Sequence, residues 1–112
     1  MDTNNEEKKV FDGGVTEADV AKWKGQHRKV FRIDVVDGDE LHVAYFHRPN
    51  LSLMAAAAKI AKTDEVKSGE ALFDGCFLGG SEHMRQDAAL FLSAMQELNK
   101  AVGAKASSLK NL

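Results

Sequence analysis

The sequence predicts an α+β domain: a short N-terminal helix, an antiparallel β-hairpin, then about three helices packed on one face of the hairpin. Three observations carry this. Residues 29–36 and 41–46 alternate apolar and polar side chains on either side of Asp37-Gly38-Asp39, the pattern of a half-buried hairpin. Met84, Ala88, Phe91, Met95, Leu98 and Val102 recur at spacings of four and three, the stripe of an amphipathic helix. Finally, 112 residues, 44% hydrophobic and 29% charged, leave room for one modest core. A two-stranded hairpin is marginal alone and needs its apolar face covered, which the helical half can do.

Residues 1–14 mix Asn, Glu and Lys and end in Asp12-Gly13-Gly14, so they read as a flexible arm, with Val10 and Phe11 able to pack back. The domain proper spans 15–103. Thr16 can cap a helix, with Asp19 as its capping-box partner and Val15 and Val20 as a staple. Gly25 is the expected stop, and Val20 and Trp23 share the buried face. In the hairpin, a two-residue Asp37-Gly38 turn would put the two apolar sets on opposite faces. A three-residue loop instead pairs Val35 with Leu41, Ile33 with Val43 and Phe31 with Tyr45, at the expense of a left-handed Asp39. Pro49 ends the second strand.

The second half reads as helical. Asn50 or Ser52 can cap a helix carrying Leu53, Met54, Ala57, Ile60 and Ala61. Another helix begins near Asp64 and buries Val66, Leu72, Phe73 and Phe77, weakened by Gly69 and Gly75. Gly79-Gly80 breaks the chain, Ser81 caps the last helix, and Gly103 ends it. Residues 104–112 are small, polar and basic, and are expected to fray.

Composition excludes some function classes. Fifteen Lys and Arg against 17 Asp and Glu give a net charge of −2, which exerts no general pull on nucleic acid or membrane. The longest apolar run, Leu53 to Ala58, is six residues, far short of a membrane span. The single cysteine, Cys76, excludes an internal disulfide and suits a reducing compartment, and the N-terminus lacks a signal-peptide core, so a cytoplasmic protein is expected.

No catalytic or metal constellation is evident. None of the four histidines has the helical i, i+4 spacing of a zinc site, and they read as surface residues. Cys76 with His83 is a formal nucleophile and base pair, but its neighbours Phe73 and Phe77 make it a small core residue. Asp34, Asp37, Asp39 and Glu40 lack calcium-loop order and read as a solvated turn. Neither a cofactor nor a metal is expected. Lys22, Lys24, Arg28, Lys29 and Arg32 interleave with Trp23 and Phe31, the single nucleic-acid signal in the chain.

The Trp23-Lys24 stretch, Val30-Phe31-Arg32-Ile33-Asp34-Val35, Tyr45-Phe46-His47-Arg48-Pro49 and Cys76-Phe77-Leu78-Gly79-Gly80-Ser81-Glu82 occur in that order before a closing helix. This succession resembles small phage and prophage tail assembly chaperones, over residues 20 to 102. The resemblance implies a non-enzymatic protein that binds tape-measure and tail tube proteins during tail assembly, in the host cytoplasm. In many such systems a ribosomal frameshift also yields a longer form. A holding chaperone needs adaptable apolar surface. Phe73, Phe77, Leu78 and Met84 are the candidate partner-binding residues, with core packing as their competing reading, and Met54 and Met95 are further adaptable contacts. Two alternatives remain: a nucleic-acid-binding accessory protein using the Lys22–Arg32 strip, and a homo-oligomeric structural protein associating through the last helix or the hairpin edges.

Overall fold

A computed structural model describes residues 8–112; the first half of the predicted arm, residues 1–7, lies outside the described residues. The elements in order are β1 (Lys9–Phe11), α1 (Glu17–Gln26), β2 (Val30–Asp37), β3 (Glu40–His47), α2 (Leu51–Ala61), α3 (Glu65–Cys76), β4 (Phe77–Gly80), α4 (His83–Gln86) and α5 (Ala88–Val102). The fold is α+β, with a four-stranded sheet in place of an isolated hairpin.

β3 is the centre of that sheet. β2 pairs with it antiparallel along one side. The other side is shared: β1 runs parallel to Glu40–His42, and β4 runs antiparallel to Ala44–Phe46. Part of the predicted arm is therefore a strand, and Val10 and Phe11 lie in it. A central strand is covered on both faces and reads as nearly continuous apolar sequence, as Leu41 to Phe46 does.

The hairpin turn differs from the expectation by one residue. Asp37 pairs with Glu40, so the loop is Gly38-Asp39. Gly38 has φ 61° and Asp39 has no positive φ, the arrangement that places glycine first in a two-residue hairpin turn. This sets Val35 opposite His42, Ile33 opposite Ala44 and Phe31 opposite Phe46. Ile33, Val35, His42, Ala44 and Phe46 thus face the core, and Leu41, Val43 and Tyr45 face the other way. The expected register assumed a sheet buried on one face only. Here Val43 is also buried, and Trp23 of α1 leans on Tyr45 with ring centroids 5.7 Å apart.

α1 opens with the predicted capping box. Thr16 Oγ1 accepts from the Asp19 N–H, and the Asp19 carboxylate accepts from the Thr16 N–H. Val20 and Trp23 are only half-buried, and α1 contributes no fully buried residue. It serves the second face of the sheet, not the main core.

α2 is capped by Asn50 and α3 by Asp64, whose side chains accept from the N–H groups of Leu53 and Lys67. Val66, expected in the core, is 66% exposed. Phe77 starts β4 and does not extend α3, and Gly79-Gly80 completes that strand. Gly80 adopts φ 142°, and a Cβ there would collide with Ala44 Cα and the Val43 carbonyl, so only glycine lets β4 lie against β3.

The closing helix is broken. α4 is a single turn, and Asp87 starts α5 by accepting from the Leu90 N–H. Ser81 caps nothing; its hydroxyl is engaged elsewhere. Leu90, Ala94, Met95 and Leu98 of α5 meet Phe46, Phe73, Cys76 and Met84 in one core beneath the sheet. The Phe46 ring stands edge-on to Phe73 at 5.1 Å and to Phe77 at 5.7 Å, and Phe91 closes on Phe73 at 5.5 Å. Each fully buried aromatic stabilises this core by roughly 1.5–3 kcal/mol. Residues 104–112 are exposed and carry no regular element.

Candidate functional site

The fold assembles a polar cluster that the sequence does not reveal. Glu40 and His42, two apart on β3, share a face, and the turn after β4 brings Ser81 to them. Ser81 Oγ lies 2.8 Å from His42 Nδ1, and Glu40 Oε1 lies 2.9 Å from Nε2. Phe11 of β1 stacks on the imidazole at 4.8 Å, and His83 meets it edge-on at 5.5 Å. These residue types are those of a nucleophile, base and orienting carboxylate.

The geometry serves a different purpose. Ser81 is 2% exposed and His42 1%, with the Phe11 ring closing the approach. The ring is also reversed relative to a hydrolytic triad, since the carboxylate holds Nε2 and the serine holds Nδ1. With Nε2–H donating to Glu40, Nδ1 accepts from the Ser81 hydroxyl, and every polar atom of the buried imidazole is satisfied. The cluster pins the start of α4 to the central strand. Sequence reasoning placed His42 on the surface because the hairpin register was displaced by one residue.

Of the four residues proposed for partner binding, Phe73 and Met84 are core residues, 1% and 0% exposed, and no partner reaches them in this conformation. Phe77 and Leu78 are half-buried on β4. A groove of ≈ 230 Å3 is lined by Phe73, Asp74, Phe77, Glu82, Arg85 and Gln86. Arg85 is held there by Asp74 at 2.8 Å and Glu70 at 3.1 Å, hydrogen bonds that keep its guanidinium charged.

The basic strip is solvent-facing: Lys22, Lys24, Arg28, Lys29 and Arg32 are all exposed. Its aromatic residues do not accompany them. Trp23 packs toward Tyr45 and Gly79, and Phe31 lies half-buried under the Arg48 guanidinium. Arg32 is paired with Asp34 at 2.7 Å. Cys76 is fully buried, and burial pushes its thiol up to about 11, which leaves it protonated and inert at neutral pH. Among the described residues no group of three His, Cys, Asp or Glu side chains is placed to hold a metal ion, and no helix is long and apolar enough to cross a membrane.

The conspicuous surface is α2. Its sequence, Leu51-Ser52-Leu53-Met54-Ala55-Ala56-Ala57-Ala58-Lys59-Ile60-Ala61, has no acidic residue, and Ser52 and Lys59 are its polar side chains, both exposed. Leu53, Ala57 and Ile60 turn inward toward α3 and the core. Leu51, Met54, Ala55, Ala58 and Ala61 form the opposite stripe and face solvent, with Leu51 87% and Met54 44% exposed. A surface helix ordinarily carries polar residues over most of the face turned from the core. The sequence groups Met54 and Ala61 with Leu53, Ala57 and Ile60, and the structure turns those two outward with the alanine run.

In comparisons with protein-family models, curated proteins and solved structures, the chain has no significant match.

Proposed function

We propose that this protein is a non-enzymatic holding protein of the phage or prophage tail assembly chaperone type, binding tape-measure and tail tube proteins in the host cytoplasm. The observation that carries the binding role is the bare apolar face of α2. Its Leu51 and Met54 side chains supply deformable apolar contact, while Ala55, Ala58 and Ala61 let a second helix approach closely. Tape-measure proteins as a class are long and helical, and a helix laid along α2 would cover surface that folding leaves exposed. The order of sequence landmarks supports the particular assignment to tail assembly.

The test is co-purification of the tagged chain with the tape-measure and tail tube proteins of the same phage genome. The double variant Leu51→Glu/Met54→Glu should lose the tape-measure protein while keeping the native circular dichroism spectrum. Retention of the partner by a folded variant would remove α2 from the account, and failure of both proteins to co-purify with the unaltered chain would remove the chaperone assignment.

A further inference from the structure

We infer that the protein forms a twofold dimer by antiparallel pairing of β2 with β2 of a second copy, centred on Ile33. Among the described residues β2 pairs with β3 alone, so its outer side is a sheet edge eight residues long, free of proline and unbroken in register. Such an edge is a template for another strand.

The direction of its backbone groups follows from the far side of β3. The Val43 carbonyl accepts from the Ser81 N–H at 2.9 Å and therefore points away from β2. Asp34, opposite Val43, then turns its own N–H and C=O outward, as do Arg32 and Val36 in the same phase. Among the described residues no backbone group pairs with that edge. A groove of ≈ 410 Å3 runs beside it, between β2 and Ser93, Gln96 and Glu97 of α5, which leaves the edge accessible.

The occupant is identified by the pattern of β2 itself. Val30-Phe31-Arg32-Ile33-Asp34-Val35-Val36 is self-complementary about Ile33. In antiparallel pairing about that residue, Arg32 of each copy lies opposite Asp34 of the other, giving two reciprocal opposite-charge pairs on the open face. Both residues belong to the outward-directed set, so they form hydrogen-bonded positions in both strands. Val36, 58% exposed in the single chain, meets Val30 of the second copy. Phe31 meets Val35 on the core side. Shifting the centre to Asp34 would place like charges opposite each other, which selects the register. The surface is isologous, as a closed dimer requires.

The test is sedimentation equilibrium of the full chain from about 1 µM to about 1 mM. The unaltered protein is expected to dimerise. Arg32→Asp alone and Asp34→Arg alone each place like charges at both cross-strand pairs, and should raise the dissociation constant by about tenfold or more. An equimolar mixture of the two variants restores opposite charges and should give a heterodimer, and the double swap should recover the homodimer. Asp34→Pro removes an N–H that bonds nothing among the described residues, so it should fold and remain monomeric. A monomer at every concentration overturns the inference and leaves the edge to an extended segment of another protein. So does a dimer indifferent to the single swaps and to Asp34→Pro. The outcome is independent of partner binding by α2, which lies on another element.

Discussion

Ser81 Oγ and His42 Nδ1 are hydrogen-bonded at 2.8 Å across 39 positions of sequence, inside a core where both side chains are almost fully enclosed. This bond joins the β4–α4 turn to the central strand, and Glu40 completes it from the other ring nitrogen. Ser81→Ala leaves Nδ1 buried without a partner and is expected to destabilise the fold by about 1–3 kcal/mol. A fall in the urea midpoint with an unchanged slope would show this; an unchanged midpoint would contradict the structural role assigned to the cluster.

Gly80 marks the point where β4 closes on β3. Gly80→Ala is expected to be more damaging than Ser81→Ala, because its Cβ meets Ala44 and Val43 backbone atoms that cannot move aside, at a φ of 142°. The comparison is made by thermal unfolding of both variants. A Gly80→Ala protein as stable as the parent would mean that β4 does not pair as described.

These two positions also show what the sequence did and did not disclose. The capping box at Thr16 and Asp19, the helix starts at Asn50 or Ser52 and near Asp64, and the stripe Phe91, Met95, Leu98 were legible because local spacing determines them. The hairpin register was not. Leu41, Val43 and Tyr45 alternate as well as His42, Ala44 and Phe46 do, and only long-range cover by Trp23 on one face and by α5 on the other decides between them. The break at Asp87 escaped notice because the apolar spacing runs through it without interruption. Gly79-Gly80 has the composition of a chain break, and its role as a strand follows solely from close contact with Ala44. Phe73 and Met84 carry both a core and a contact reading in the sequence, because the neighbours that enclose them, Phe46 and Leu98 among them, are distant along the chain.

The His27 and His47 rings stack face to face at 4.2 Å, and His47 Nδ1 is 2.7 Å from the Arg48 carbonyl. Burial, and then the charge of His47, lower His27 below its ordinary value of 6.5. In the interval between the two values the unfolded chain binds more protons than the folded one, so stability rises with pH there. Stability should therefore decline as pH falls through about 6.5 towards the lower folded value, and level off below it. His27→Gln should flatten that part of the profile, read as the urea midpoint against pH with Trp23 fluorescence as probe. An identical slope in the variant would remove His27 as its source.

Cys76 is enclosed with its thiol raised to about 11. It should resist a thiol reagent at neutral pH in the native protein and react at once in denaturant. Rapid labelling of the native chain would show that the core opens around α3.

A docking role for α2 is tested by the solubility of the tape-measure protein when the two are co-expressed. With the unaltered chain the tape-measure protein should remain in the supernatant. With Leu51→Glu/Met54→Glu, whose side chains are exposed and whose own fold should be unaffected, it should pellet. Equal solubility with the variant and the parent, or a tape-measure protein that pellets with both, would contradict the account.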